Sequence, residues 1–222
     1  MNTSPAPGGG WSVHRFNFWP SFADLCAATL IIFLLVTFVR TILNVDWINA
    51  LLIETRQTTL EEEFRAEFRS DLEKGIVVIR RDGNIQEITF STAVLFESAS
   101  AELSDRGGLM LDRLGAVLNK SYEKARFAQV QVEGHTDNVR ISEWLVHRYP
   151  TNWELSAQRA IEVCKRFSKS AAVVPDSVFS ATGYADRKPV APNTTEAGRN
   201  RNRRIEVRLV YFKAQNRELG DE

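Results

Sequence analysis

An aspartate inside an apolar run near the amino terminus is the first residue whose position indicates chemistry. Asp24 is the only charged side chain between Phe16 and Val39. A helix rises about 1.5 Å per residue, so this run can cross a hydrocarbon layer about 30 Å thick. A carboxylate inside such a span costs roughly 2.5–3.5 kcal/mol on insertion scales, and its presence indicates a function. The sequence therefore predicts that Asp24 handles a proton or another ion within a membrane.

A second group of polar side chains lies in three segments. The positions of these side chains do not follow the period of a strand or of a helix. The segments are residues 133–138 (EGHTDN), residues 152–160 (NWELSAQRA) and residues 198–205 (GRNRNRRI). Each falls at the end of a predicted element, where a layered fold offers a concave surface. We expect these three segments to form a binding site.

The elements that must position these groups begin with a helix over residues 44–74, which follows the apolar run. Leu60, Phe64, Phe68 and Leu72 recur every four residues and form one narrow apolar stripe on a charged helix. Such a stripe requires a partner. The sequence leaves two candidates open, the domain that follows and a second copy of the chain.

From Gly75 onward the apolar period changes to that of strands and helices in alternation. Residues 76–90 are predicted to form a hairpin around Asp82-Gly83, and residues 104–120 a helix capped by Ser104 or Asp105. Three strands (127–133, 178–182 and 204–211) and a helix (152–168) complete the pattern, which predicts an α+β layer fold with short connections.

The three polar segments resemble the motifs of the OmpA-like peptidoglycan-binding domain. The shared patterns are a G-H-T-D loop, an N-x-x-L-S-x-x-R-A helix and an N-R-R-[IV] strand start, preceded by the segment 95–103 (LFESASAEL). The resemblance covers about residues 75–212. It implies that Asp137 and Arg159 hold the diaminopimelate of the stem peptide, with Asn152, Leu155 and Arg203 in supporting positions.

The chemistry of the two central residues agrees with that implication. A zwitterionic peptide needs a fixed anion for its ammonium group and a planar fork for its carboxylates, which Asp137 and Arg159 supply. The alternative is that Asp137 forms an Asx turn and pairs with Arg159 to hold the loop. The long loop 139–151 is expected to shade or reshape the pocket.

Composition and motif content exclude several classes of function. Lys+Arg and Asp+Glu both number 28, and this balance argues against a nucleic-acid partner. The three histidines are too few for a zinc hydrolase, and neither a G-x-S-x-G motif nor a Cys–His pairing stands out. We therefore predict no enzyme activity, no catalytic residue, no metal and no cofactor. Cys26 and Cys164 are predicted to remain unpaired.

An aspartate in one amino-terminal span joined to an OmpA-like domain resembles the B subunit of MotA/MotB-type stators. Residues 19–25 (WPSFADL) and 149–156 (YPTNWELS) carry that resemblance. It implies an inner-membrane protein with a cytoplasmic amino terminus and a periplasmic domain. It further implies a dimer of this chain inside a ring, expected to be pentameric, of a MotA-like partner, with Asp24 carrying the ion, expected to be a proton.

The predicted organisation points to one kind of stator. It comprises a tail (1–15), a transmembrane helix (16–43), a helical linker (44–74), the binding domain (75–212) and a second tail (213–222). The short linker and short amino-terminal tail resemble ZorB of the Zorya anti-phage defence system, whose ring partner is ZorA. The alternatives are a flagellar MotB-like subunit, a TolR/ExbD-type transducer and a passive peptidoglycan tether.

Overall fold

The structure is a computed structural model, which describes residues 18–211 apart from the side chains of residues 44–46. The two predicted tails, 1–15 and 213–222, and the predicted start of the span at Phe16 lie outside the described residues. The chain forms two units, one up to Ile48 and one from Asn49 onward, each of which is described separately below.

The described part of the amino-terminal unit is formed by the first part of one long helix, α1 (Trp19–Glu67). Within the described chain this is the one helix long and apolar enough to cross a membrane, and its 18-residue window has a mean hydropathy of 2.4. Pro20 lies in the first turn, where its missing N–H costs no hydrogen bond. The hydroxyls of Thr29 and Thr37 donate to the carbonyls of Cys26 and Phe33, so these polar groups are satisfied inside the helix. Asp24 lies five residues from the helix start, about 7.5 Å along its axis.

The part of α1 that belongs to the second unit contributes its apolar stripe to the core of that unit. Leu60 and Phe64 of α1 are completely buried there, as is Phe68, which lies just after the end of α1 at Glu67. The helix predicted over residues 44–74 is therefore interrupted at Phe68. Phe68 stacks on Phe64 at 4.6 Å and packs edge-on against Phe90 at 6.4 Å between ring centroids. Of the two partners that the sequence left open for this stripe, the structure pairs it with the domain of the same chain.

The second unit is built on a five-stranded mixed sheet in the order β1-β2-β5-β3-β4, in which only β3 and β4 are parallel. Its strands are β1 (Val77–Asp82), β2 (Ile85–Ser91), β3 (Gln129–Gly134), β4 (Phe179–Gly183) and β5 (Arg204–Val210). Its further helices are α2 (Arg69–Glu73), α3 (Thr92–Leu95), α4 (Asp105–Ala125), α5 (Asn152–Ser170) and α6 (Glu196–Asn202), with a 3₁₀ turn at Asp176–Val178. The predicted α+β fold is confirmed.

Local residue chemistry explains the main boundaries. Gly83 makes the β1–β2 turn with a φ of +56°, as the Asp-Gly pair predicts. The Ser104 hydroxyl caps α4 by accepting a bond from the N–H of Gly107 at 3.0 Å. Helix α4 continues five residues beyond the predicted Lys120 and ends at Ala125, where the following residue, Arg126, adopts the left-handed conformation.

Two short helices were missed by the sequence patterns. Helix α3 is a single turn of four residues, and α6 occupies most of the arginine-rich segment before the last strand, for which no helix was predicted. The Thr195 side chain caps α6 by accepting a hydrogen bond from the N–H of Gly198. Neither helix is long enough to show an apolar period, because each comprises two turns or fewer.

Candidate ligand-binding cavity

A cavity of about 730 Å³ lies in the second unit, bounded by residues 92–99, loop 136–145, the start of α5 and α6. Its walls include all five residues that the sequence assigned to peptide binding. These residues are Asp137, Asn152, Leu155, Arg159 and Arg203. The other predicted site residue, Asp24, lies in the amino-terminal unit, and its carboxylate has no hydrogen-bond or ion-pair partner within residues 18–211.

Asp137 is nearly buried, and each of its carboxylate oxygens already has one partner. Oδ1 accepts a bond from the N–H of Val139 at 3.1 Å, which forms an Asx turn, and Oδ2 accepts from the guanidinium of Arg203. The Asx turn, which the sequence offered as part of the alternative to ligand binding, is therefore present. The ion pair of Asp137, however, is made with Arg203 rather than Arg159.

Arg159 reaches the cavity from the second turn of α5 with only 7% of its surface exposed. Its Nε donates to the Ser100 carbonyl at 2.8 Å, and its guanidinium carbon lies 5.3 Å from the centroid of the Phe96 ring. Its two Nη groups make no hydrogen bond within residues 18–211. Burial lowers the pKa of Arg159 to about 10, so the group is still charged at neutral pH. A buried, charged fork with free donors is suited to binding a carboxylate.

The start of α5 fixes the loop that carries Asp137. Thr151 and Glu154 form a reciprocal capping box, which sets the first turn of the helix. Asn152 then donates from Nδ2 to the carbonyls of Val139 and Asp137 at 2.9 and 3.3 Å. Leu155 packs in a small apolar cluster with Leu145 and two other residues. Asn152 thus positions the loop, and Leu155 forms an apolar part of the wall.

Glycine at the ends of β3 and β4 lets α5 approach the sheet. A Cβ on Gly134 would lie 2.1 Å from the carbonyl oxygen of Ser156, and one on Gly183 would lie 2.5 Å from the backbone nitrogen of Ala157. The Ser156 hydroxyl accepts a hydrogen bond from the N–H of Ala185 at 3.0 Å, which connects α5 to the segment that follows β4. The glycine of the G-H-T-D loop is therefore required by packing.

His135 of the same loop does not line the cavity. It is buried with its Nε2 3.7 Å from Glu133 and 3.6 Å from Glu206, and its ring stacks on Tyr184 at 5.4 Å. The ligand atoms of His135, Glu133 and Glu206 lie within 4.8 Å of one another, close enough to hold a metal ion.

Neighbouring cations make that cluster unfavourable for a divalent ion. Arg208 and Lys188 pair with Glu133, and Arg204 pairs with Glu206. Burial opposes the ionisation of Glu133, but His135, Arg208 and Lys188 outweigh it and lower the pKa of Glu133 to about 2. The cluster therefore already balances its charge without a metal.

Comparison with known proteins agrees with this geometry. Residues 95–203 match the model of the OmpA family. The chain carries an OmpA-family domain. The match includes the loop of Asp137, the α5 motif of Arg159 and the segment that ends at Arg203.

Relatives of this OmpA-family chain include motility proteins. It is 30% identical to motility protein B of Bacillus subtilis over 123 residues, which cover 55% of this chain and 44% of that protein. A MotB-like protein from Desulfovibrio vulgaris superposes with a TM-score of 0.61 at 29% identity, covering 76% of this chain and 99% of that structure. The chain is thus related to MotB. It spans 60%, 44% and 52% of the length of the first three curated relatives that it matches.

Another similar structure comes from a protein that is named for a different machine. The cell wall anchor of the T6SS from Pseudomonas aeruginosa has a TM-score of 0.57 at 32% identity, with 67% of this chain and 96% of that structure covered. The OmpA-family domain therefore occurs in structures that carry different names.

Several cavity residues were missed by the sequence patterns. Phe96 and Ser100, which contact Arg159, fall in the segment 95–103 that was noted as a motif without assigned roles. Glu97 and Arg140 also line the cavity. Loop length was the only sequence signal that pointed to Arg140.

Proposed function

We propose that the OmpA-family domain of this chain binds the stem peptide of peptidoglycan and thereby anchors a membrane subunit to the cell wall. The observation that carries the proposal is the buried Arg159, whose Nη donors are unpaired and whose side chain lines a cavity together with Asp137. A ligand carboxylate would satisfy those donors, and each charge-assisted bond contributes roughly 1.5–3 kcal/mol.

The anchoring proposal is tested with the full chain in detergent and isolated sacculi. We expect saturable co-sedimentation that a soluble diaminopimelate-containing stem peptide competes away. Co-sedimentation that persists at saturating peptide, or none at all, would contradict the assignment of the cavity.

We propose further that the chain is the B subunit of an ion-driven rotary motor of the inner membrane. The support is the relation to MotB together with Asp24 in the apolar part of α1. Protonation of Asp24 removes its charge and its need for polar partners, so proton transfer biases the span between two arrangements against a MotA-like ring. A dimer of this chain, held by the wall, would act as the fixed part while the ring turns.

The biological setting proposed for this motor is Zorya defence, with a ZorA-like ring, and flagellar rotation is the alternative. The support is the short predicted linker, residues 44–74, between the apolar run and the binding domain. A ring-subunit gene beside helicase or nuclease genes would favour defence, and neighbouring flagellar genes would favour motility.

A second candidate function is a wall anchor that conducts no ion. The similarity to the T6SS cell wall anchor favours it, because that protein's name describes anchoring alone. Asp24 separates the two candidates, since a passive anchor gives no reason for a carboxylate in the apolar run.

A further inference from the structure

The cavity contains seven charged side chains, four of which neutralise one another. These four are Asp137, Glu196, Arg199 and Arg203. Arg203 pairs with both Asp137 and Glu196, and Arg199 also pairs with Glu196. One of the two carboxylates is thus shared between two guanidinium groups, and both carboxylates are engaged by cations of the protein itself.

Three charged groups of the cavity have no ion-pair partner within residues 18–211. Glu97 and Arg140 are exposed, and neither side chain makes a hydrogen bond or an ion pair within residues 18–211. Arg159 retains its free Nη donors beneath them. The charged groups of the cavity without an ion-pair partner are therefore two guanidinium groups and one carboxylate.

We propose that Glu97 and Arg140 complete the ligand site, with Glu97 binding the ligand's ammonium group beside Asp137 and Arg140 binding a second carboxylate. This inference rests on the function proposed above and refines it. Asp137 is held by Arg203 and the Val139 N–H through one bond to each oxygen, which leaves each oxygen a further acceptor lone pair, and Arg159 binds the first carboxylate. The site thus selects a peptide with one ammonium group and at least two carboxylates, the charge pattern complementary to the three groups without an ion-pair partner.

The position of the two residues explains how the site acquires this selectivity. Glu97 lies in the segment that follows α3, and Arg140 lies in the long loop between β3 and α5, so the two reach the cavity from separate walls. The loop that carries Arg140 is held by Asn152 through the Val139 carbonyl. Loop 139–151 therefore adds a cation to the cavity as well as enclosing it.

The test measures affinity of the full chain in detergent for a diaminopimelate-containing stem tetrapeptide. Variants of the peptide carry either an acetylated side-chain ammonium or one carboxylate amidated, each carboxylate in turn. We expect Glu97→Gln to weaken binding of the unmodified peptide about tenfold and to leave the acetylated peptide unaffected. We expect Arg140→Ala to weaken binding of the unmodified peptide about tenfold. One of the amidated peptides should bind Arg140→Ala and the wild type equally well, because amidation has already removed the carboxylate that Arg140 binds.

The controls are Glu143→Gln and Arg106→Ala, which remove exposed, unpaired charges outside the cavity. Both should bind all peptides as the wild type does. If Glu97→Gln and Arg140→Ala also match the wild type while Arg159→Ala loses binding, the inference is overturned and the proposed function stands. If the wild-type chain binds none of the peptides, the proposed function fails and the inference with it.

Discussion

Arg203 donates a hydrogen bond to Oδ2 of Asp137 and so joins the segment before β5 to the loop after β3. This pairing determines which groups of the cavity are free. Because Asp137 is held by Arg203 and by the Val139 N–H, Arg159 is left with one bond to Ser100 and two unpaired Nη groups. The cavity thus combines a rigid loop with a buried cation that is available to a ligand.

Replacing Asp24 by asparagine tests the ion-carrying role. Asp24→Asn preserves size and polarity but cannot release a proton at physiological pH. We expect normal membrane insertion and assembly, measured by co-purification with the ring subunit, and complete loss of the function that the motor drives. Full activity of Asp24→Asn would leave the passive anchor as the better account.

Phe64→Ala tests whether the stripe of α1 belongs to the core of the domain. Phe64 is completely buried and stacks on Phe68, so its truncation should lower the free energy of unfolding by about 3–5 kcal/mol. Chemical denaturation followed by circular dichroism of the full chain measures this loss. Glu62→Ala, at an exposed position of the same helix, should change it by less than about 0.5 kcal/mol. A dimer that dissociates while domain stability is unchanged would assign the stripe to self-association instead.

Two adjacent glycines of α4 give a matched test of close packing. A Cβ on Gly107 would lie 2.0 Å from the Leu95 carbonyl oxygen, whereas one on Gly108 meets only the Arg166 guanidinium at 3.6 Å. Gly107→Ala should therefore destabilise the domain by at least about 2 kcal/mol, because backbone must shift. Gly108→Ala should stabilise it by up to about 1 kcal/mol through helix propensity. Equal melting temperatures for the two variants would contradict the packing of α3 against α4.

The buried carboxylate Glu133 predicts acid sensitivity. Its pKa is about 2 in the folded chain, below the value of 4.5 for a free glutamate, so folding favours the ionised form. The resulting stability, on the order of 3 kcal/mol, is present above about pH 5 and is lost as the pH falls toward 2. Glu133→Gln should flatten the fall in unfolding free energy between pH 5 and pH 2, whereas Glu143→Gln should leave it unchanged. A wild-type slope in Glu133→Gln would exclude this group as its source.

The sequence predicted the fold where apolar periods were long and the site where motifs were dense. The hairpin around Gly83, helix α5 and the strand β5 all appear close to their predicted bounds. The capping of α6 by Thr195 was missed, because a two-turn helix rich in arginine shows no apolar period.

The sequence predicted which residues line the cavity better than it predicted which of them form ion pairs with one another. Sequence patterns placed Asp137, Arg159 and Arg203 at element ends but could not show which arginine would pair with the aspartate. That choice depends on the distance between β5 and the loop after β3, which only the folded sheet sets. The available charges of Glu97 and Arg140 were missed for the same reason.

The binding of peptidoglycan by Arg159 is the central claim, and its most direct measurement is the affinity of the full chain for purified sacculi. We expect Arg159→Ala to abolish co-sedimentation and Arg159→Lys to weaken it at least tenfold, because an ammonium group cannot reproduce the bidentate fork. Arg106→Ala, which removes an exposed arginine outside the cavity, should bind as the wild type does. Folded Arg159→Ala that co-sediments with wild-type affinity would contradict the account.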